Sequence, residues 1–203
     1  MDIPLIADVV VANVGHIPNT SANVGFSLNM PFSNVFDELF IAILLLVGCE
    51  RMMNTPTGKV ADFLSKYQNL EKNVKKELTN VLDQEQELNK KQKEGYRLLL
   101  EKQYQNLAYK ITEEKIEKNH ATVTAEIEVL DFATTIRNSR KKYQEQIEEE
   151  KESSYIDYQI KELKKVEDKV KHEIVFILKK KDGIWNLTEL SKEDYQKING
   201  FYE

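Results

Sequence analysis

The stretch "ATVTAEIEVLDF", residues 121–132, decides the fold. Ala121, Val123, Ala125, Ile127 and Val129 alternate with Thr122, Thr124, Glu126 and Glu128. A period of two places the first set on one side of an extended chain and the second on the other, the pattern of a half-buried strand. Upstream, "LAYKITEEKIEKN" reads as its partner, with a hairpin near Lys118-Asn119. Downstream, Ile174, Phe176 and Leu178 alternate in the same way. Asp182-Gly183 follows as a strong two-residue hairpin signal, and Trp185 and Leu187 continue on the returning strand.

The remaining segments repeat at helical spacing. Thr55 is placed as an N-cap, with Pro56 at the first helical position. Val60, Phe63, Leu64, Tyr67 and Leu70 then form one face. A second helix carries Val74, Leu78, Val81 and Leu82. A third runs from about Lys90 to Leu107, with Tyr96, Leu99, Leu100 and Tyr104 on its apolar side. Between the hairpins, the apolar markers Ile136, Tyr143 and Ile147 lose phase with Ile156, Ile160 and Leu163, which predicts two helices or one broken helix. Ser191 to Asp194 has the form of a capping box and opens a short last helix, stopped by Asn199-Gly200. The expected fold class is α+β: N-terminal helices packed on an antiparallel sheet of about four strands, with a helical insertion between two hairpins.

Charge is unevenly placed along the chain. Residues 1–50 hold five acids and no lysine or arginine, and the other 29 acids equal the 29 Lys and Arg. The net charge of −5 therefore belongs to the first fifty residues, and a balanced body offers no field for nucleic acid. With 41% hydrophobic and 31% charged residues, the composition is that of a globular chain. A single cysteine excludes an internal disulfide.

That cysteine ends the most apolar run. Leu39 to Val47 is a continuous apolar block closed by Gly48 and Cys49. At ~1.5 Å per residue it covers about half of a hydrocarbon core some 30 Å thick, too little for a stable span. The length suits the apolar region of a secretory signal. Leu46-Val47-Gly48-Cys49 resembles the lipobox of bacterial lipoproteins. In that family, small residues let the backbone enter a membrane peptidase, the thiol accepts a diacylglyceryl group, and cleavage leaves the modified cysteine first. Residues 1–38 lack the positive charge of such a leader and are expected to be disordered or to stem from a mis-assigned start. Three parts result: 1–38, the signal block and lipobox at 39–49, and one α+β domain at 54–203.

With Asn54-Thr55-Pro56-Thr57, "KYQNL", "KQYQNLAYKI", "ATVTAEIEV" and "KKDGIWNLTELSKEDYQKINGFY", residues 44–203 resemble uncharacterised Gram-positive bacterial lipoproteins. Those look like members of the cystatin-like, nuclear-transport-factor-like superfamily. The resemblance implies a curved sheet wrapping a helix into a cone, and a location on the extracytoplasmic face of the cell membrane. It implies no activity, because that superfamily hosts enzymes and binding modules alike. Its catalytic members place Asp, His or Tyr inside the cone, where Tyr109, Phe132, His172 and Trp185 are available here. Tyr109, Phe132 and Trp185 are the candidate pocket residues.

No residue pattern identifies a reaction. His16, His120 and His172 share no ligand spacing, so no metal site is assigned, and neither is a cofactor or a catalytic residue. Three readings stay open. The leading one is a lipid-anchored, non-enzymatic module that meets a protein or cell-envelope partner. The others are a small-molecule-binding or catalytic cone and a helix-mediated scaffold.

Overall fold

The protein is described by a computed structural model at residues 54–145 and 154–202. Among the described residues three helices precede the sheet: α1 (Pro56–Gln68), α2 (Lys72–Gln84) and α3 (Lys90–Asn106). Thr55 caps α1, its hydroxyl accepting the Gly58 N–H at 2.9 Å. Val60, Leu64 and Tyr67 on the inward face of α1 are fully buried. The corner into α2 turns on Leu70, a non-glycine residue at φ 49° whose side chain is buried. Burial of that side chain offsets the cost of a left-handed leucine. A capping box opens α3, with Asn89 accepting from the Gln92 N–H and the Gln92 side chain accepting from the Asn89 N–H.

Four strands follow: β1 (Ala108–Glu117), β2 (His120–Leu130), β3 (Lys169–Lys181) and β4 (Ile184–Leu187). They form one antiparallel sheet in the order β1-β2-β3-β4. Two helices, α4 (Phe132–Glu145) and α5 (Tyr155–Leu163), lie in the chain between the neighbouring strands β2 and β3. The last helix, α6 (Lys192–Ile198), opens with a Ser191/Asp194 capping box. The protein is therefore an α+β domain with its helices ahead of a four-stranded sheet and two more inserted between the hairpins.

Alternation in β2 and β3 divides the sheet into a covered and a bare face. Ala121 pairs with Leu178, Val123 with Phe176 and Ala125 with Ile174, and all six are buried beneath the helices. Thr122 and Thr124 face outward beside Ile177 and Val175, which are 51% and 50% exposed. The core continues into the helices through Phe63 and Tyr67, whose rings meet Phe176 and Tyr104 respectively.

Both hairpin turns lie at one end of this sheet. His120 pairs with Lys179, and the Lys180 N–H donates to the Asn119 carbonyl at 2.8 Å. The β1–β2 and β3–β4 turns are thus neighbours. At the other end Leu130 pairs with Lys169. At ~3.3 Å per residue the thirteen residues of β3 separate the two ends by about 40 Å.

Candidate functional site

The hairpin end is where the described chain begins. The Asn54 side chain bridges the β3–β4 turn: its amide donates to the Gly183 carbonyl, and its oxygen accepts the Trp185 N–H, both at 3.1 Å. The turn presents its backbone because Asp182 and Gly183 both take positive φ, 51° and 82°, as a tight Asp-Gly hairpin requires. Trp185 packs inward at 5% exposure, with the Lys180 Nζ 5.4 Å from its ring centre.

A second tie joins this end to α1. β1 carries one extra residue between Ile111 and Glu113 relative to β2. Simple alternation from Ile111 would turn Glu114 outward; the bulge re-phases the strand and pairs Glu114 with the buried Val123. The Glu114 carboxylate then accepts the Thr57 N–H at 2.9 Å and the Thr57 hydroxyl at 2.6 Å. Because α1 has no acid in its own first turn, this borrowed carboxylate complements the positive end of its dipole.

Around these ties the turns are basic. Lys115, Lys118, Lys179, Lys180 and Lys181 are all exposed, against the exposed acids Glu113, Glu114, Glu117 and Asp182. Lys115 pairs with Glu113 at 2.9 Å. Among the described residues, Lys118, Lys179 and Lys181 form no ion pair.

The structure does not bring Tyr109, Phe132 and Trp185 together. Tyr109 is half-buried on β1, its hydroxyl 3.1 Å from the Ser65 hydroxyl and donating to the Ala61 carbonyl at 3.3 Å on α1. Phe132 is fully buried at the start of α4, 5.7 Å from the Phe201 ring. Trp185 sits at the hairpin end, whereas Phe132 follows the opposite end of β2. Each aromatic side chain joins or packs against the core where it stands. The inner sheet face that a cone would offer to a ligand is occupied by Val123, Ala125, Ile127, Ile174 and Phe176, none more than 1% exposed.

Buried polar side chains of α3 bond to the end of β2 and to the C-terminal segment. The amide of Gln103 on α3 accepts the Leu130 N–H at 2.9 Å and donates to the Leu130 carbonyl at 3.3 Å, as a neighbouring strand would. The Tyr104 hydroxyl donates to the Asn199 side chain at 2.9 Å. Nearby, Tyr67 Oη and Asn199 Nδ2 are buried without a hydrogen-bond partner among the described residues. Burial pushes the phenols of Tyr67 and Tyr104 upward, and that of Tyr195 up to about 12, so none of them is a base near neutrality. His172 lies on β3, edge-on to Tyr202 at 5.4 Å, with Nε2 buried and unpartnered. Burial and the nearby Lys197 cation hold its pKa below the ordinary 6.5, against a smaller upward pull from Asp131.

An open polar groove of 380 Å³ lies between α4, the end of α5 and the segment leading into β3. Lys142 and Lys165 on its walls are balanced by Glu162, Glu167 and Asp168. It opens beyond the sheet end remote from the hairpin turns. No group of three or more His, Cys, Asp or Glu among the described residues could hold a metal. No described helix is long and apolar enough to cross a membrane.

The sequence carries no signal for the contacts of Asn54, Gln103 and Glu114. Asn54 stood next to a recognised cap, but its use by a turn 129 residues away carries no local signal. Leu46, Val47, Gly48 and Cys49, with the whole apolar block, lie outside the described residues. No known protein family, curated protein or solved structure matches this chain.

Proposed function

We propose that this chain is a bacterial lipoprotein: a non-enzymatic binding module held on the outer face of the cell membrane by acyl chains on Cys49. The observation that carries the reading is Leu46-Val47-Gly48-Cys49 at the end of a leucine-rich block too short to span a bilayer. The position of Asn54 supports it: five residues after the cysteine, it is already bonded to the β3–β4 turn of the domain. Two acyl chains, at about 0.8 kcal/mol per buried methylene, suffice for stable anchoring. A binding role is favoured over a catalytic one because the inner sheet face is filled by side chains and the aromatic candidates are dispersed through the core.

Anchoring places the hairpin end toward the membrane and the polar groove away from it, open to a protein or envelope partner. The test is the intact mass of the chain recovered from bacterial membranes. Cleavage before a diacylated Cys49, and loss of the Cys49→Ser variant from the membrane fraction, are expected. A soluble product with an unmodified thiol refutes the reading.

A further inference from the structure

Three features meet at one end of the sheet. The chain enters the domain there, because the Asn54 side chain is bonded to the β3–β4 turn through Gly183 and Trp185. Cys49 is five residues away, so even a fully extended link reaches only about 17 Å. The two turns at this end carry five exposed lysines against the exposed acids Glu113, Glu114, Glu117 and Asp182, of which Glu113 pairs with Lys115 and Glu114 bonds to Thr57. Lys118 holds its turn position at φ 54°, where glycine or asparagine is the easier choice.

We infer that the β1–β2 and β3–β4 hairpin tips form a membrane-docking surface whose lysines bind the anionic headgroups of phospholipids. The inference rests on the lipid-anchor reading for the side of the molecule that meets the bilayer. The lysines supply its chemistry. The opposite end of the sheet, about 40 Å away along β3, is too far from Asn54 for a five-residue link to bring it down. The docked hairpins then fix the tilt of the domain, so that the anchor and the lysines act as two membrane signals on one face. Each lysine near an anionic surface contributes about fivefold to partitioning, an effect that falls off within a Debye length.

The test uses the full chain bearing Cys49→Ser, so that acylation cannot contribute. It is co-sedimented with phosphatidylcholine vesicles, with and without phosphatidylglycerol. Binding is expected to strengthen with phosphatidylglycerol and to weaken with salt. Replacing Lys118, Lys179 and Lys181 by Gln is expected to remove about a hundredfold of the phosphatidylglycerol-dependent part. The same replacement at Lys141, Lys142 and Lys161 on the helical insertion serves as the comparison and should change little. Equal partitioning of the hairpin variant and its parent overturns the proposal, as does an equal loss from the comparison variant. Capture by soluble polyphosphate without any phosphatidylglycerol dependence overturns it too, in favour of a soluble polyanion.

The anchor is read separately, from the mass at Cys49. An acylated chain whose lysines do not matter refutes the docking surface alone. An unmodified thiol with lysine-dependent vesicle binding refutes the anchor alone. In the acylated chain the sole tryptophan, Trp185, gives an orientation readout. Energy transfer from it to a dansyl-labelled headgroup is expected, and its absence contradicts a hairpin-down posture.

Discussion

Replacing Gln103 by Met isolates the hydrogen bonds that join α3 to the sheet. Gln103 is fully buried, and its amide meets both backbone groups of Leu130 at 2.9 and 3.3 Å. Its third contact, to the Ile198 carbonyl at 3.5 Å, is at the limit of a hydrogen bond and contributes little. Methionine keeps the length, approximate volume and helix propensity of glutamine, so packing and α3 itself change little. What changes is that a buried N–H and a buried C=O lose their partners. Each loss costs about 1–3 kcal/mol, less where water enters, and the sum expected is about 2–4 kcal/mol. A domain of this kind has total stability of about 5–15 kcal/mol, so the shift is large. Urea unfolding, followed through midpoint and slope, measures it. Gln105→Met, at an exposed position on the same helix, should stay within ~0.5 kcal/mol of the parent. A Gln103→Met midpoint indistinguishable from that of Gln105→Met would refute the assignment of Gln103 as a backbone surrogate.

Gly200→Ala should destabilise at least as much. At φ 73° a side chain adds about 1–2 kcal/mol of backbone cost, and its Cβ would collide with the Gln103 amide and the Leu130 carbonyl. Combined with Gln103→Met it should lose less than the sum of the two, because both act on one contact; additivity in urea unfolding would contradict this. His172 gives a pH signature. Its folded pKa is lowered, so the unfolded chain binds more protons and stability falls as pH drops below about 6.5 toward the folded value. The difference in stability between the parent and His172→Phe should therefore shift against the parent between pH 7.5 and 5.5, and a difference constant across that window would refute it. Asn54→Ala removes two partly exposed hydrogen bonds, with a loss of about 1 kcal/mol expected. Faster amide exchange at Trp185 should accompany it, and unchanged exchange would show that the staple does not hold in solution.

The secondary structure was legible because each element carries its own period. Val60, Leu64 and Tyr67 recur at helical spacing, and Ala121 to Val129 alternate; each set is buried as its spacing requires. Turn chemistry was legible for a similar reason, since Asp182-Gly183 supplies two positive φ values from two adjacent residues. The helical insertion is legible through its apolar spacing, and the described residues on either side of the loss of phase lie in α4 and α5. Residue type alone groups Tyr109, Phe132 and Trp185, whereas their positions follow from the sheet, with Phe132 and Trp185 at opposite ends.

By itself the sequence determined the class of fold, its caps and turns, and the expectation of a lipid address, because each of these is written in contiguous residues read against a local rule. Tertiary structure alone decided which surfaces meet. The bulge that turns Glu114 onto Thr57, the Gln103 amide beneath Leu130, and the bond from Asn54 to a turn far along the chain all depend on register and approach between distant segments. Such contacts leave no period in the residues that make them, since a side chain that bridges two elements obeys the geometry of the gap and not the repeat of its own strand or helix.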